Sequence, residues 1–383
     1  MPFYDVIVVG LGTVGAATIM NLARRGVSVL GLDAYLPPHR RASHHGESRS
    51  IRRAYLEGSA YVPMACRAWA LWRKLERETG AALLTPTGNL TIGPEDAPAV
   101  AGFVKSAHRY GIPHERMTAS QVRRRWPSLA PSDNMVAALE VEAGVIAPEK
   151  ALGVMLAEGE KAGAVLHFDE PLQHWQEGPH GVHLRSSRGA YDAGRLLLST
   201  GAYTRSLLPM PVNWLMPKRV PVHWVAPPEA ASFVLGALPV NFWQLPAADA
   251  EAQGRYHEFY SLPITRFGGR VKTAAHNHLD DCDPLVMNPV VTPGEVDAIR
   301  RFLKKHIPVL AGCDIRSDVC LYTLTPDGDF VLGPLPGYAN TMIAALAGHG
   351  FKFATVLGEI MADTLEGKAP AFDVTCFSAD RFD

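Results

Sequence analysis

The sequence predicts a two-domain α/β fold, an open and largely parallel sheet domain interrupted by a mainly antiparallel one. Three observations predict it. Residues 5–17, Asp-Val-Ile-Val-Val-Gly-Leu-Gly-Thr-Val-Gly-Ala-Ala, pass from a buried apolar run through three glycines into a helical pattern. Residues 211–314 change texture to alternating apolar and polar segments rich in Pro and aromatic residues, the pattern of an antiparallel sheet. Residues 340–367 return to the opening style of strand, glycine turn and apolar helix, which makes the first domain discontinuous and places the second inside it in two pieces.

Taken in order, residues 6–9 form a buried strand ending at Gly10, and Met20, Leu22 and Ala23 mark the helix that follows. Gly10, Gly12 and Gly15 fall at G-x-G-x-x-G spacing on the turn between them. The first allows the tight turn, the second lets a pyrophosphate approach the backbone, and the third lets helix and strand pack closely. Thr13 and Val14 open the helix, whose free N–H groups and positive end suit phosphate. A second strand, residues 27–32, ends in Asp33, placed to accept hydrogen bonds from ribose hydroxyls. Together these read as a dinucleotide site.

Residues 35–46 are rich in Pro, His and Arg and read as a loop. Arg49 and Arg52 follow, three apart, so that on a helical turn they would share a face. Residues 64–75 form an amphipathic helix, and residues 83–92 read as strand–turn–strand. Thr118 to Gln121 is a capping box opening a short basic helix that stops before Pro127. Residues 148–162 are a helix with Pro in its first turn. Residues 165–168, 182–184 and 196–199 read as strands, the last ending at Gly201 in a turn that suits another backbone approach to the cofactor. In the inserted region, residues 220–225, 259–262 and 270–274 alternate. Thr292 to Glu295 caps a helix through His306. Residues 342–345 are a strand, followed by Gly348, His349 and Gly350 and a helix closed by Gly367.

The 383 residues are 47% hydrophobic and 20% charged with a net charge of −1. Such a chain is globular and lacks the basic footprint of a nucleic-acid binder. No apolar run reaches membrane-spanning length, and the absence of a basic leader predicts no signal peptide. Five scattered cysteines without C-x-x-C spacing suit the cytoplasm and no metal centre. His44 and His45 alone do not make a metal site.

Four stretches go further: Ser43-His-His-Gly-Glu-Ser-Arg-Ser-Ile-Arg52; Val271-Lys272 with His276; Cys320-Leu-Tyr-Thr-Leu-Thr-Pro-Asp327; and Gly348-His-Gly-Phe-Lys352-Phe. Through them the chain resembles, over nearly its whole length, the monomeric sarcosine oxidase and N-methyl-L-tryptophan oxidase family of covalent flavoproteins. Residues 33–39 look closer to the N-methyltryptophan oxidases. The resemblance implies a glutathione-reductase-like FAD-binding domain at 1–86, 145–212 and 318–383, with a substrate domain at 87–144 and 213–317. It implies FAD joined through an 8α-S-cysteinyl thioether at Cys320. It implies oxidation of the N-methyl C–N bond of an amino acid by O2 to formaldehyde, free amino acid and H2O2, by a cytoplasmic monomer. Alternatives are a cyclic or other secondary amino acid such as pipecolate, or a flavoprotein passing electrons to a partner.

The same resemblance distributes the roles. Arg52 and Lys352 hold the substrate carboxylate, Arg49 lies beside the flavin ring, and Lys272 stands near flavin N5 where its charge helps O2 accept electrons. His276 is a pocket histidine, with His44 and His45 nearby. Gly348, Gly350 and Phe351 bring backbone to the ring, and Ser43 and Ser48 belong to the cofactor loop. Tyr322, Tyr260, Tyr55 and Trp243 are candidate aromatic walls. From the residues alone, Cys320 reads first as a small buried apolar residue and Lys272 as a strand-edge lysine, and the arginines read also as a solvated basic turn. The resemblance is weakest over residues 211–256, so the substrate side chain is not read.

Overall fold

The computed structural model describes residues 2–55, 58, 60–247, 256–265, 269–277 and 279–382; residues 248–255, within the weakly matching stretch, lie outside them. The opening strand, Phe3–Val9, is central in an eight-stranded sheet. Parallel neighbours flank it, Val29–Leu32 on one side and Ala190–Leu198 on the other, with Val9 level with both Leu32 and Leu198. Residues 6–9 are all buried, as a strand covered on both faces must be. Ala190–Leu198 forks. Its first half pairs antiparallel with Gly181–Ser186, and its last residues pair parallel with Thr341–Ala345. Three strand ends, at Val9, Leu32 and Leu198, therefore reach one level, where open α/β sheets bind ligands.

The helix Thr13–Arg24 crosses this sheet between Pro148–Lys161 and Ala354–Leu365. Close approach explains a glycine in the last of these. A Cβ on Gly358 would stand 2.6 Å from the Ala17 carbonyl carbon. That helix closes as expected, with Gly367 left-handed at φ 76°. Its N–H donates to the Thr364 carbonyl and the Lys368 N–H to that of Asp363, a Schellman closure.

A second sheet, nine-stranded among the described residues, has the path Asp280–Asp281, Met216–Val225, Val271–Ala275, Tyr256–Leu262, Val240–Pro246, Asn89–Pro94, Met135–Glu140 and His114–Thr118. Ile315–Leu324 joins at Met216–Val225. Pairing is antiparallel except between Val240–Pro246 and Asn89–Pro94. Both capping boxes form, at Thr118 and Thr292.

The structure departs from the sequence reading in three places that matter. Residues 27 and 28 are not strand; Gly26 is left-handed and the strand begins at Val29. Residues 83–92 are not one hairpin. Leu84–Pro86 joins a small sheet with Gly144–Ile146 and Arg49–Ile51, whereas Asn89–Pro94 enters the nine-stranded sheet, because Gly88 at φ 75° turns the chain away. Arg49 and Arg52 do not share a helical face. Arg49–Ile51 is a strand pairing with Gly144–Ile146, and this tertiary pairing overrides the local i, i+3 pattern. No helix among the described residues is long and apolar enough to cross a membrane.

Candidate functional site

One cavity of about 400 Å³ runs from the glycine turn to the face of the second sheet. Gly10 is left-handed, φ 90°, and a Cβ there would meet the Ser199 carbonyl at 2.7 Å. Gly15 faces inward, and its Cβ would stand 2.0 Å from the Gly10 carbonyl oxygen. Gly12 differs: a Cβ would find only His44 Nδ1, at 3.6 Å, so the missing side chain leaves room on the cavity side. Gly12 is also the N-cap of Thr13–Arg24, with no side chain capping the helix. Asp33 closes the turn, taking the N–H of Leu11 at 2.7 Å and that of Tyr35 at 2.9 Å. Gly201 lines the cavity opposite.

Buried atoms on the wall, among them His39 Nδ1, His44 Nε2, Asn89 Oδ1 and Thr323 Oγ1, have no hydrogen-bond partner among the described residues. Buried polar atoms are normally satisfied. A long polar ligand stretched from the glycine turn toward Thr323 fits this arrangement, and FAD is such a ligand. Burial, then the charges of His39, Arg49 and His45, push His44 down to about 3, so it is a neutral imidazole.

The loop 43–48 is turned with its carbonyls toward two cations. Arg49 donates to the carbonyls of Ser43, His45 and Ser48 at 2.6–2.7 Å. Lys272 Nζ donates to those of Gly46 and Ser48 at 2.9 and 3.0 Å. On the other side, Glu149 Oε1 accepts the N–H groups of Gly46 and Glu47 at 2.7 and 2.9 Å. This clamp holds Glu47 in the left-handed region, φ 70°, uncommon for a residue with a Cβ. Lys272 is 4% exposed. Burial and the Arg49 guanidinium push its pKa well below the usual lysine value, opposed by Cys320, Glu149 and Glu47.

Cys320 lies against the same loop, its Sγ 3.6 Å from the Ser43 carbonyl and 3.9 Å from Arg49 Nη2. Burial alone would push the thiol up, but a hydrogen bond with His45 and the charges of Arg49, His45 and Lys272 bring it below the usual value. A buried thiol shifted toward thiolate is unlike an inert core cysteine.

At the far end Tyr260 and Tyr322 are neighbours, and burial raises both phenols above their usual value, Tyr260 well above it. His276 stands edge-on to Phe242, Tyr260 and Tyr322, with ring centroids 5.8–6.3 Å away. Gly348 is left-handed, and a Cβ there would strike Tyr322 at 2.8 Å. Buried Arg52 and Lys352 complete the wall. Asp33 is the only acid among the described lining residues, which include Arg41, Arg49, Arg52, Lys272 and Lys352.

The sequence candidates Gly10, Gly12, Thr13, Val14, Asp33, Ser43, His44, Ser48, Arg49, Arg52, Gly201, Tyr260, Lys272, His276, Cys320, Tyr322, Gly348, Gly350, Phe351 and Lys352 all line this one cavity. Gly15 and His45 do not. Gly15 packs behind the turn, and His45 sits behind Cys320, donating from Nε2 to the Val319 carbonyl at 3.0 Å. Tyr55 and Trp243 are not walls either. Trp243 is wholly buried against Phe302 and His306, and Tyr55 lies behind Lys352. Sequence reasoning missed Asn89, Phe242, Thr323 and Glu149. Cys320 to Asp327 contained Thr323, but only the pairing of distant strands brings Asn89 and Phe242 to the cavity.

Residues 5–364 match the family described as DAO, FAD dependent oxidoreductase. Monomeric sarcosine oxidase of Streptomyces avermitilis is 36% identical over 99% of this chain and 98% of its own length. N-methyl-L-tryptophan oxidase of Salmonella newport is 34% identical over 99% of both chains. Two solved structures share the fold. NikD, an amino acid oxidase of nikkomycin biosynthesis, has a TM-score of 0.85 at 23% identity, covering 99% of this chain and 98% of its own. Glycine oxidase from Geobacillus kaustophilus has a TM-score of 0.81 at 21% identity, covering 99% and 98%. A glycine turn open to phosphate, unsatisfied polar atoms along the wall and a full-length match to these relatives lead to one conclusion: the chain belongs to the FAD-dependent oxidoreductase family.

Proposed function

We propose that the protein is an FAD oxidase of N-methyl amino acids, of the sarcosine or N-methyl-L-tryptophan type. The observation that carries this reading is the convergence, in one cavity, of the dinucleotide turn with the half-buried cation Arg49 and the buried cations Arg52, Lys272 and Lys352. A cavity so cationic, with Asp33 at its nucleotide end, suits a substrate bearing a carboxylate. FAD, when bound, would supply the two-electron redox chemistry that links oxidation at the N-methyl carbon to reduction of O2 to H2O2. The chain's own residues do the rest. Arg52 and Lys352 hold the carboxylate through charge-assisted bonds. Tyr260, Tyr322 and Phe242 exclude water around the amine, which binds neutral and is chiefly positioned. Lys272 places a positive charge where negative charge develops on O2. The released imine hydrolyses to formaldehyde and the free amino acid.

Gly10, Gly12, Thr13, Val14 and Asp33 hold the adenosine and pyrophosphate in this reading. Ser43, His44, Ser48, Arg49, Gly348, Gly350 and Phe351 surround the flavin, and Cys320 carries it through a thioether. The nucleotide domain takes residues 1–86, 145–212 and 318–383 and the substrate domain 87–144 and 213–317. The grouping of strands into two large sheets supports that division in outline, although Ile315–Leu324 is one continuous strand of the second sheet and the boundary at 318 falls within it. A cytoplasmic monomer completes the proposal.

An oxygen-uptake screen over N-methyl amino acids tests the reading. Uptake with equimolar formaldehyde and H2O2 is expected for at least one of them. No uptake with any, or flavin reduction without O2 consumption, would overturn it. Yellow colour should stay with the denatured chain and be released from Cys320→Ala.

A further inference from the structure

Among the described residues, the ammonium of Lys352 donates to the His349 carbonyl at 2.6 Å and to the Tyr55 hydroxyl at 3.1 Å. The Tyr55 hydroxyl lies 2.6 Å from His349 Nδ1, and His349 Nε2 lies 3.0 Å from the Gly328 carbonyl. A carbonyl only accepts, so in the neutral ring Nε2 carries the proton and Nδ1 is the acceptor. Tyr55 therefore donates to His349. An ammonium only donates, so Lys352 donates to the Tyr55 oxygen. The chain Lys352, Tyr55, His349, Gly328 thus runs in one direction.

Tyr55 also meets the other cation. The Arg52 guanidinium carbon stands 5.4 Å from its ring centroid and Lys352 Nζ 4.9 Å. Both are cation–π distances. The ring itself cannot drift. It is wholly buried, with Tyr61 at 5.1 Å and Phe353 edge-on at 5.2 Å. The Lys352 backbone is pinned by Trp72 Nε1, which donates to its carbonyl at 2.9 Å. One tyrosine hidden behind the cavity wall therefore sets the spacing of the two cations on it, and one histidine sets the direction of that tyrosine's hydroxyl.

We propose that Tyr55 and His349 are positioning residues of a carboxylate clamp. Tyr55 spaces Arg52 and Lys352, and His349, protonated at Nε2, aims the Tyr55 hydroxyl so that its oxygen faces the ammonium. This rests on the reading that Arg52 and Lys352 hold the substrate carboxylate. A carboxylate presents two oxygens at fixed separation, so a cation displaced by a fraction of an ångström loses a charge-assisted bond without losing the fold.

The test uses the holoenzyme and acetate as probe, its equilibrium binding followed by the flavin absorbance, beside steady-state kinetics on the best substrate of the screen. Tyr55→Phe keeps the ring and deletes the hydroxyl; His349→Leu deletes the acceptor; His349→Asn restores an acceptor near Nδ1. The first two should weaken acetate binding and raise KM about three- to tenfold, the scale of one lost hydrogen bond, with kcat within about twofold. His349→Asn should recover most of the loss. Melting of each variant separates this from general loosening, and if Tyr55→Phe fails to fold, the His349 pair carries the test alone. The proposal is overturned if Lys352→Met weakens acetate at least about tenfold while Tyr55→Phe and His349→Leu leave it unchanged. If Lys352→Met also leaves acetate unchanged, the carboxylate reading itself has failed, and the proposal falls with it.

Discussion

The two ends of the cavity are built from different materials. At the glycine turn the working surface is backbone, and the sequence contributes by withholding side chains at Gly10, Gly12 and Gly15. At the far end the working surface is charged side chains, each kept buried by carbonyls and rings from elsewhere: Lys272 by the loop 43–48, Lys352 by Tyr55 and His349. The first kind of site is specified within about thirty residues, as dinucleotide turns are. The second exists only once distant segments pack. It follows that the first should fail as a unit when one atom is added, whereas the second should fail piece by piece.

The largest effect is expected at the turn. Gly15→Ala puts a Cβ 2.0 Å from a backbone oxygen that cannot move without pulling Val9 and Ser199 with it. Overpacking against backbone should remove about 3 kcal/mol or more. Denaturant melts and flavin content of the purified variant check this, and a variant that melts like the parent and keeps its FAD would break the contrast between the two ends.

Next comes Lys272→Met, which keeps the apolar stem and deletes the charge. Reoxidation of reduced flavin by O2 should slow about 10²- to 10³-fold, the scale of one preorganised electrostatic group. Anaerobic reduction by substrate should change much less. Because burial and Arg49 lower the Lys272 pKa from its usual 10.5, the parent enzyme should lose oxygen reactivity as pH rises well before that value. Stopped-flow measurement of each half-reaction, across pH, separates the two. Equal slowing of both would make Lys272 a structural residue that merely supports the loop.

A further effect, spread over pH and not confined to one residue, concerns the sheet that carries Lys272. His223, which sits opposite Thr273, is buried and pushed down to about 4, as is His306 beneath Trp243. Burial is the chief cause in both. The unfolded chain takes a proton on each near pH 6.5, the folded chain only near 4. Their contribution is therefore full above pH 6.5 and lost as pH falls through that window. Near pH 5 the pair should contribute a slope of about 2.5 kcal/mol per pH unit, about 1.8 protons at about 1.4 kcal/mol each. Denaturant midpoints against pH should show it, and His306→Gln should remove about half.

How legible this was in the sequence follows the same division. Gly10 to Ala17, Asp33 and both capping boxes were readable because each is a local rule, with turn, helix start and strand in one window. The helical reading of Arg49 and Arg52 failed because spacing of three residues carries no information about whether Gly144–Ile146 will pair with that segment. Lys272 alternated correctly with Val271, yet both faces of its strand are buried, so alternation alone did not distinguish a solvent-facing lysine from an inward one. Asn89 and Glu149 carry no motif of their own, and His349 lies inside the stretch from Gly348 to Lys352 with no role that the stretch itself assigns. Their significance lies in which backbone or side chain they meet, and that is decided by strands brought together from far along the chain.

In the proposed function the cationic end of the cavity recognises a carboxylate on the amine to be oxidised. Anaerobic mixing of the holoenzyme with the N-methyl amino acid that it oxidises best, and separately with the methyl ester of the same compound, tests this most directly. The ester keeps the side chain and the N-methyl group and removes the charge. Half-saturation for flavin bleaching should rise about ten- to a hundredfold for the ester, the loss of charge-assisted bonds of about 1.5–3 kcal/mol, and Arg52→Ala or Lys352→Ala should narrow that gap. Equal half-saturation for acid and ester in the parent protein would contradict the account.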